Sequence, residues 1–153
     1  LYKKKGNKEE VKTAIKEVRK NNKVGVIITA IVVPLILALV AVLMFTGDVN
    51  VELGEESFEV KATYWDDIEV DYDEVDSIEY RENCDGVRVY GYGSARLLLG
   101  VFENDEFGKY TRCTYTGKKP CIVLEADGEI LVIGLESAEE TNALYNDLCE
   151  KLK

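Results

Sequence analysis

The sequence contains four cysteines, whose thiols can bind metals, act as nucleophiles or form disulfides. Cys84, Cys113, Cys121 and Cys149 are 29, 8 and 28 positions apart and include no C-x-x-C pair, a spacing that argues against zinc. Cys113 and Cys121 lie almost symmetrically about the turn sequence Thr116–Lys119. A Cys113–Cys121 disulfide across a hairpin is therefore one expectation, and buried free thiols are the alternative.

Carboxylates crowd one short segment and raise the question of a calcium site. Seven of the eleven residues from position 66 to 76 are acidic: Asp66, Asp67, Glu69, Asp71, Asp73, Glu74 and Asp76. The segment lacks the central glycine and the terminal glutamate of an EF-hand loop. The acidic residues alternate with Ile68, Val70 and Tyr72, which is typical of the solvated face of a strand. We therefore predict no specific metal site there.

The sequence lacks the residues that other common catalytic and cofactor-binding sites need. The chain has no histidine, so it lacks the commonest general base and the commonest metal ligand. Gly91-Tyr92-Gly93 begins like a dinucleotide-binding fingerprint, but the third glycine is missing and no helix is predicted to follow. We expect these glycines to permit tight bends between strands. The sequence thus predicts no catalytic, cofactor-binding or metal-binding residues, and no cofactor.

An apolar stretch near the N-terminus determines where the rest of the chain lies. Residues 24–45 contain no charge. At 1.5 Å per residue they form a helix of roughly 33 Å, enough to cross a bilayer core of roughly 30 Å. The stretch is too long for a secretory signal, and Met44–Asp48 is a poor cleavage site. We predict one retained transmembrane helix, in which Pro34 is a tolerated kink.

Charge is unevenly distributed about this stretch. Residues 1–23 carry nine basic and three acidic residues, a net charge of +6, so the rest of the chain carries −16 of the total of −10. The positive-inside rule then predicts a single-pass protein of the cell membrane with its N-terminus in the cytoplasm and residues 46–153 outside. So acidic a domain has no basic field for phosphates, and we expect no nucleic acid partner.

The basic flank has helical periodicity. Val11, Ala14, Ile15 and Val18 recur at helical spacing beside lysines at every fourth position from 8 to 20. It is interpreted either as the topogenic positive flank or as a helix lying on anionic lipid. The first residue is Leu, so we expect a fragment or a processed form, with a further span before it as one option.

Beyond Asp48 the hydrophobic period changes from that of a helix to that of strands. Alternating runs begin at Phe58 and Ile68, and further strands are predicted at 75–80, 86–100, 110–115 and 121–126. Asp127-Gly128 between two apolar runs predicts a type I′ hairpin that pairs Ala126 with Glu129. This register sets Leu124 opposite Leu131 and Ile122 opposite Ile133.

The chain ends in a predicted amphipathic helix. Ser137 and Glu140 have the spacing of a capping box, and Leu144, Leu148 and Leu152 follow at helical spacing. The fold class is therefore mainly β: a seven-stranded antiparallel barrel or sandwich capped by a C-terminal helix and preceded by one transmembrane helix. The predicted domains are the basic flank 1–23, the transmembrane helix 24–45 and the β-rich domain 46–153.

This order of elements resembles the bacterial pleckstrin-homology-like domains that are attached to transmembrane helices. The resemblance covers Val49 to Leu152 and is carried by the segments Asp73–Ile78, Arg88–Gly93, Gly100–Phe102, Phe107–Tyr110 and Glu139–Tyr145. It implies two near-orthogonal antiparallel sheets capped by the C-terminal helix, and it identifies no catalytic residue. Members that bind phosphoinositides use basic residues in the first strand-joining loop, where this chain has Glu55 and Glu56. Phosphoinositide is therefore not an expected ligand.

The sequence predicts a non-catalytic binding or scaffold module at the membrane surface. Its partner is a protein or peptide, engaged along an exposed strand edge, or a second copy of the chain. One alternative is a regulatory or sensor subunit of a membrane complex. Another is a carboxylate-based envelope hydrolase, which needs two convergent carboxylates in one pocket.

Overall fold

The computed structural model describes residues 8–117 and 119–153, in two compact units that divide between Val42 and Leu43. Helix α1 spans Lys8–Phe45 with Pro34 inside it. Among the described residues it is the one helix long and apolar enough to cross a membrane. Some basic residues used in the predictions above lie outside the described residues: Lys3, Lys4, Lys5 and Lys118. The division between flank and membrane-spanning stretch at residue 23 stays a prediction.

The second unit consists of two sheets and a C-terminal helix. Its strands are β1 Val49–Leu53, β2 Ser57–Ala62, β3 Ile68–Asp71, β4 Val75–Arg81, β5 Val87–Gly93, β6 Leu97–Asn104, β7 Gly108–Tyr115, β8 Cys121–Ala126 and β9 Glu129–Gly134. The small sheet has the order β1-β2-β3 and the large sheet the order β4-β8-β9-β7-β6-β5. Helix α2 spans Ala138–Lys151.

This mainly β architecture with its closing helix confirms the predicted fold class, with two differences. The described residues form nine strands instead of seven, and β7 pairs with β9 in parallel. The glycine-spaced segment 86–100 supplies β5, a turn and the start of β6, with a bulge between Arg88 and Tyr90. The parallel pair arises because β9 lies between β8 and β7 in the sheet.

The Asp127-Gly128 hairpin is confirmed in register and in backbone conformation. Ala126 pairs with Glu129, and the two turn residues have φ of 49° and 77°, as a type I′ turn requires. The register places Leu124 opposite Leu131. Both side chains lie in the main core between the two sheets and α2. The Asp127-Gly128 turn therefore sets the register of β8 and β9, and this register determines which of their side chains face the main core.

Helix α2 closes this core. The Ser137 side chain accepts a hydrogen bond from the Glu140 N–H, and the Glu140 carboxylate accepts one from the Ser137 N–H, so the predicted capping box is present. Leu144 and Leu148 are buried in the core that contains Leu124. Leu152, predicted to lie with them, is the half-buried C-cap residue instead.

A second, smaller core contains Cys84, Phe102, Tyr110, Cys121, Val123 and Val132. The segment between β4 and β5 lies over it, and a disulfide joins Cys84 in that segment to Cys121 at the start of β8, with Cα atoms 6.3 Å apart. The buried Arg112 guanidinium donates to the Cys84 carbonyl oxygen at 2.8 Å. One covalent and one polar link therefore hold this segment to the sheet.

The predicted Cys113–Cys121 disulfide is thus corrected to Cys84–Cys121, and Cys113 is a buried free thiol. The prediction assumed that β7 and β8 are hairpin partners, but β9 lies between them. Strands two positions apart are separated by roughly 9–10 Å, beyond the roughly 7 Å limit for a disulfide. Cys113 also lies in the main core and Cys121 in the small one.

Leu148→Ala should destabilise the domain strongly. Leu148 is completely buried, and a buried leucine replaced by alanine costs about 2–5 kcal/mol, or at least about 8 °C in Tm for a domain of this size. Thermal unfolding of the full chain in detergent measures the loss. Asn146→Ala, at an exposed position of α2, is the matched control and should stay within about 0.5 kcal/mol. Equal melting of the two variants would mean that α2 does not close the core.

Thiol counting tests the corrected disulfide. In the folded protein only Cys149 should react readily with a maleimide, because burial raises the pKa of the Cys113 thiol to about 12 and Cys113 is inaccessible. Two thiols should react after unfolding and four after unfolding with reduction. Four reactive thiols without reduction, or a peptide linking Cys113 to Cys121 in mass spectrometry, would contradict the assignment.

Candidate functional site

Strand β1 has one open backbone edge. The Thr63 N–H donates to the Asp48 carbonyl and the Gly54 N–H donates to the Ser57 carbonyl, one at each end of the β1–β2 hairpin. In an antiparallel ladder, residue pairs that exchange hydrogen bonds alternate with pairs that do not. Because the pairs at both ends are hydrogen-bonded, Asn50 and Glu52 between them also bond to β2. The N–H and C=O groups of Val51 and Leu53 point away from β2. An edge of this kind can pair with another extended chain.

A cleft of about 390 Å³ runs along this edge, between β1 and α2. Its apolar lining comes from both sides of the main core and includes Val49, Val51, Leu53, Leu135, Ala143 and Leu144. Its polar lining consists of Asn50, Tyr115, Glu136, Glu140 and Asp147. At about 3.4 Å per residue, the five residues of β1 give the cleft room for a short extended segment.

Arg96 fixes one end of the cleft. Its guanidinium donates to the Gly47 carbonyl at 2.8 Å, to Asp48 Oδ1 at 2.8 Å and to Glu136 Oε1 at 3.0 Å. The Arg96 guanidinium also lies 5.0 Å from the centre of the Tyr115 ring. Because Gly47 and Asp48 precede β1 and Glu136 precedes α2, this one side chain holds both walls.

The local turn explains where Arg96 points. The Ser94 Oγ accepts hydrogen bonds from the N–H groups of Arg96 and Leu97, at 3.1 and 3.0 Å, in the turn that joins β5 to β6. The Thr116 N–H donates to the Arg96 carbonyl at 2.8 Å and ties this turn to the end of β7. Arg96 thus projects from a well-bonded turn.

Asp48 and Tyr115 complete this end of the cleft. The Tyr115 hydroxyl donates to Asp48 Oδ1 at 3.1 Å, and the Val49 N–H donates to the Tyr115 oxygen at 3.4 Å. Hydrogen bonds from Arg96 and Tyr115 lower the pKa of Asp48, while burial raises the pKa of Tyr115. Asp48 is therefore ionised and Tyr115 is neutral at physiological pH.

The opposite end is fixed by Lys151. Its ammonium donates to the Gly54 carbonyl at 2.9 Å and joins the last turn of α2 to the loop after β1. Between the two ends, Glu140 and Asp147 lie on the helix side of the cleft and are exposed. The cleft combines an apolar floor with a negatively charged rim, which suits a ligand that carries both apolar and basic groups.

The other residues considered in the sequence take structural or solvated positions. All seven acidic residues from Asp66 to Asp76 are exposed, as predicted for a solvated face. Gly91 pairs with Gly100, where an added Cβ would lie 2.3–2.4 Å from the facing strand's backbone, so close strand approach accounts for both glycines. Glu55 and Glu56 are exposed in the β1–β2 loop.

The sequence pattern misses the cleft. Arg96 follows the Gly91-Tyr92-Gly93 pattern by three residues, and the sequence shows Tyr115 only as an apolar residue at the end of a predicted strand. Their partners Asp48 and Glu136 are 48 and 40 positions from Arg96. No local motif signals contacts at that separation.

Comparison with known proteins gives one result. A family model described as Bacterial PH domain matches residues 49–151, about two thirds of the chain and almost all of the second unit. No curated protein and no solved structure matches significantly.

Asp48→Asn should lower stability in a pH-dependent manner. Because the folded state lowers the pKa of Asp48, this carboxylate stabilises the fold above its unfolded pKa of about 3.9, and the contribution is lost as pH falls through the folded pKa. The Tm gap between wild type and Asp48→Asn should be present at neutral pH and close in acid. Asp76→Asn, at an exposed position, is the control. A gap that is independent of pH would contradict this role for Asp48.

Proposed function

The chain belongs to the bacterial PH domain family, and on that premise we propose that it is a membrane-anchored, non-catalytic binding module. In this proposal α1 crosses the membrane, and the cleft between β1 and α2 takes up an extended, basic segment of a partner protein. The observation that carries the proposal is the open edge of β1 beside an apolar cleft with an acidic rim. Family membership supplies the fold, and the ligand is argued from the cleft.

Strand addition is the binding mode that this geometry supports. An added segment gains main-chain hydrogen bonds from the outward groups of Val51 and Leu53. Every second side chain of the segment then faces the floor formed by Leu135 and Leu144. The carboxylates of Glu140 and Asp147 lie on α2 beside this floor, which favours lysine or arginine in the bound segment.

Two of the three carboxylates that line the cleft already accept hydrogen bonds from groups of the domain itself. The Glu136 carboxylate accepts from Arg96, and the Glu140 carboxylate accepts from the Ser137 N–H at 3.1 Å in the capping box. A pair of catalytic carboxylates needs two groups free to meet a substrate. These contacts favour binding over the hydrolase alternative.

We also propose that the domain lies outside the cytoplasm. The nine basic residues before the apolar stretch support this orientation. The Cys84–Cys121 disulfide adds independent support, because disulfides persist in oxidising compartments and are rare in the cytosol.

A peptide that alternates lysine with valine should bind the full chain, and the affinity should fall as salt rises. A peptide that alternates glutamate with valine should not bind, because the rim repels it. Asp147→Lys should weaken binding of the lysine peptide by up to about fivefold, since a rim charge is worth up to about 1 kcal/mol. Fluorescence anisotropy of labelled peptides measures each affinity.

Two further variants separate the cleft from general charge attraction. Glu150→Lys makes the same charge change on α2 outside the cleft and should have a much smaller effect. Val51→Pro removes one outward N–H without breaking the β1–β2 ladder and should also weaken binding. If Glu150→Lys weakens binding as much as Asp147→Lys does, or if Val51→Pro has no effect, the cleft is not the binding site.

Labelling of Cys149 tests the orientation. Cys149 is half-buried and free, whereas Cys113 is fully buried. An impermeant maleimide should therefore label Cys149 on intact cells from which the layers outside this membrane have been removed. A Thr13→Cys substitution in a Cys149→Ser background should be labelled only after the membrane is opened. The reverse pattern would place the domain in the cytoplasm.

A further inference from the structure

Four aromatic side chains lie together in the second unit, and we call them the aromatic surface: Tyr64, Trp65, Tyr90 and Tyr92. Tyr90 is exposed, and the other three are half-buried and also pack against the main core. Tyr64 and Trp65 follow β2, and the other two lie on β5. The rings of Tyr64 and Tyr92 are 4.7 Å apart between centroids, and those of Trp65 and Tyr90 are 5.3 Å apart. Each pair joins a residue that follows β2 to a residue of β5, so the two pairs are neighbours along both segments.

Gly100 on β6 leaves room for the Trp65 ring. Gly91 and Gly100 face each other across β5 and β6, and a Cβ added at Gly100 would lie 3.2 Å from the Trp65 ring. The ring therefore lies close to the backbone at Gly100 and also contacts the Tyr90 ring. These contacts position the ring.

The aromatic surface lies where the second unit begins. The Thr46 hydroxyl and the Tyr64 hydroxyl are hydrogen-bonded at 2.8 Å, and the Tyr92 hydroxyl donates to the Leu43 carbonyl oxygen. All of these residues belong to the unit that starts at Leu43. The apolar stretch ends at Phe45, so these contacts place tyrosine hydroxyls at the point where the chain leaves the stretch.

Further exposed apolar side chains lie on β5. Among the described residues after Phe45, the exposed large hydrophobic side chains are Val87, Val89 and Tyr90, which are 76%, 49% and 61% exposed. Strand β5 is an edge strand of the large sheet. In an acidic domain otherwise covered by charge, this concentration of apolar groups on one edge strand points to a specific contact.

We propose that the aromatic surface inserts into the headgroup region of the bilayer that α1 crosses. Tyrosine and tryptophan favour this region because their rings are apolar and their O–H or N–H groups are polar. The bilayer is the expected occupant because the contacts to Leu43 and Thr46 hold the aromatic surface at the end of the membrane-spanning stretch. This inference rests on α1 crossing the membrane and does not depend on the cleft.

The charges beside the aromatic surface predict which lipids it prefers. Asp66 and Asp67 directly follow Trp65 and are exposed. Anionic headgroups repel these carboxylates, so insertion should be deepest in zwitterionic bilayers. This preference is the opposite of the one expected for a phosphoinositide site.

Trp65 is the only tryptophan in the chain, so its fluorescence reports on this surface alone. The full chain is reconstituted into phosphatidylcholine bilayers that contain lipids brominated either near the headgroups or near the bilayer centre. Trp65 should lose about half or more of its emission to bromines near the headgroups and much less to central ones. Aqueous iodide should quench it weakly.

Further measurements test the predicted lipid preference and ask whether water or protein covers the surface instead. Replacing part of the phosphatidylcholine by phosphatidylglycerol should reduce quenching by lipid bromine, and Asp66→Asn with Asp67→Asn should restore it. Strong iodide quenching with no bromine effect would mean that the surface faces water. Protection from both quenchers would mean that the Trp65 ring is covered by its own domain or by another protein. Either result overturns the proposal and leaves the peptide-binding measurements unaffected.

Discussion

The domain's organisation depends most on the hydrogen bonds that the Arg96 guanidinium donates. It binds Gly47 and Asp48 at the start of the small sheet and Glu136 at the start of the closing helix. These groups are partly exposed, so their ion pairs add little to stability individually. Their importance is geometric, because the same side chain holds both walls of the cleft and leaves the middle of β1 open.

The sequence predicts those features that depend on neighbouring residues. Asp127 and Gly128 determine a hairpin by their backbone preferences, and Ser137 and Glu140 determine the start of α2 by capping. Features that depend on which strands become neighbours were not predictable. The insertion of β9 between β7 and β8 changed the disulfide from Cys113–Cys121 to Cys84–Cys121, and no local pattern signals that topology. The cleft was not predictable for the same reason, since its walls are brought together by the fold.

An open strand edge is a liability in most domains, because it invites non-specific pairing. Here the edge of β1 is short, and it is bounded by Arg96 at one end and by Lys151 at the other. The acidic rim repels most acidic chains. In the proposed function, the same acidic rim selects an extended basic segment. The aromatic surface is a separate feature, and it bears on how the domain lies at the membrane.

Backbone hydrogen exchange along β1 tests the central claim most directly, because the claim concerns individual N–H groups. In the free protein, the amides of Val51 and Leu53 should exchange quickly, while those of Asn50 and Glu52, bonded to β2, should exchange slowly. A saturating amount of the lysine-valine peptide should slow Val51 and Leu53 and leave Asn50 and Glu52 unchanged. Exchange at Val51 and Leu53 that is already slow in the free protein, or that the bound peptide does not alter, would contradict strand addition at this edge.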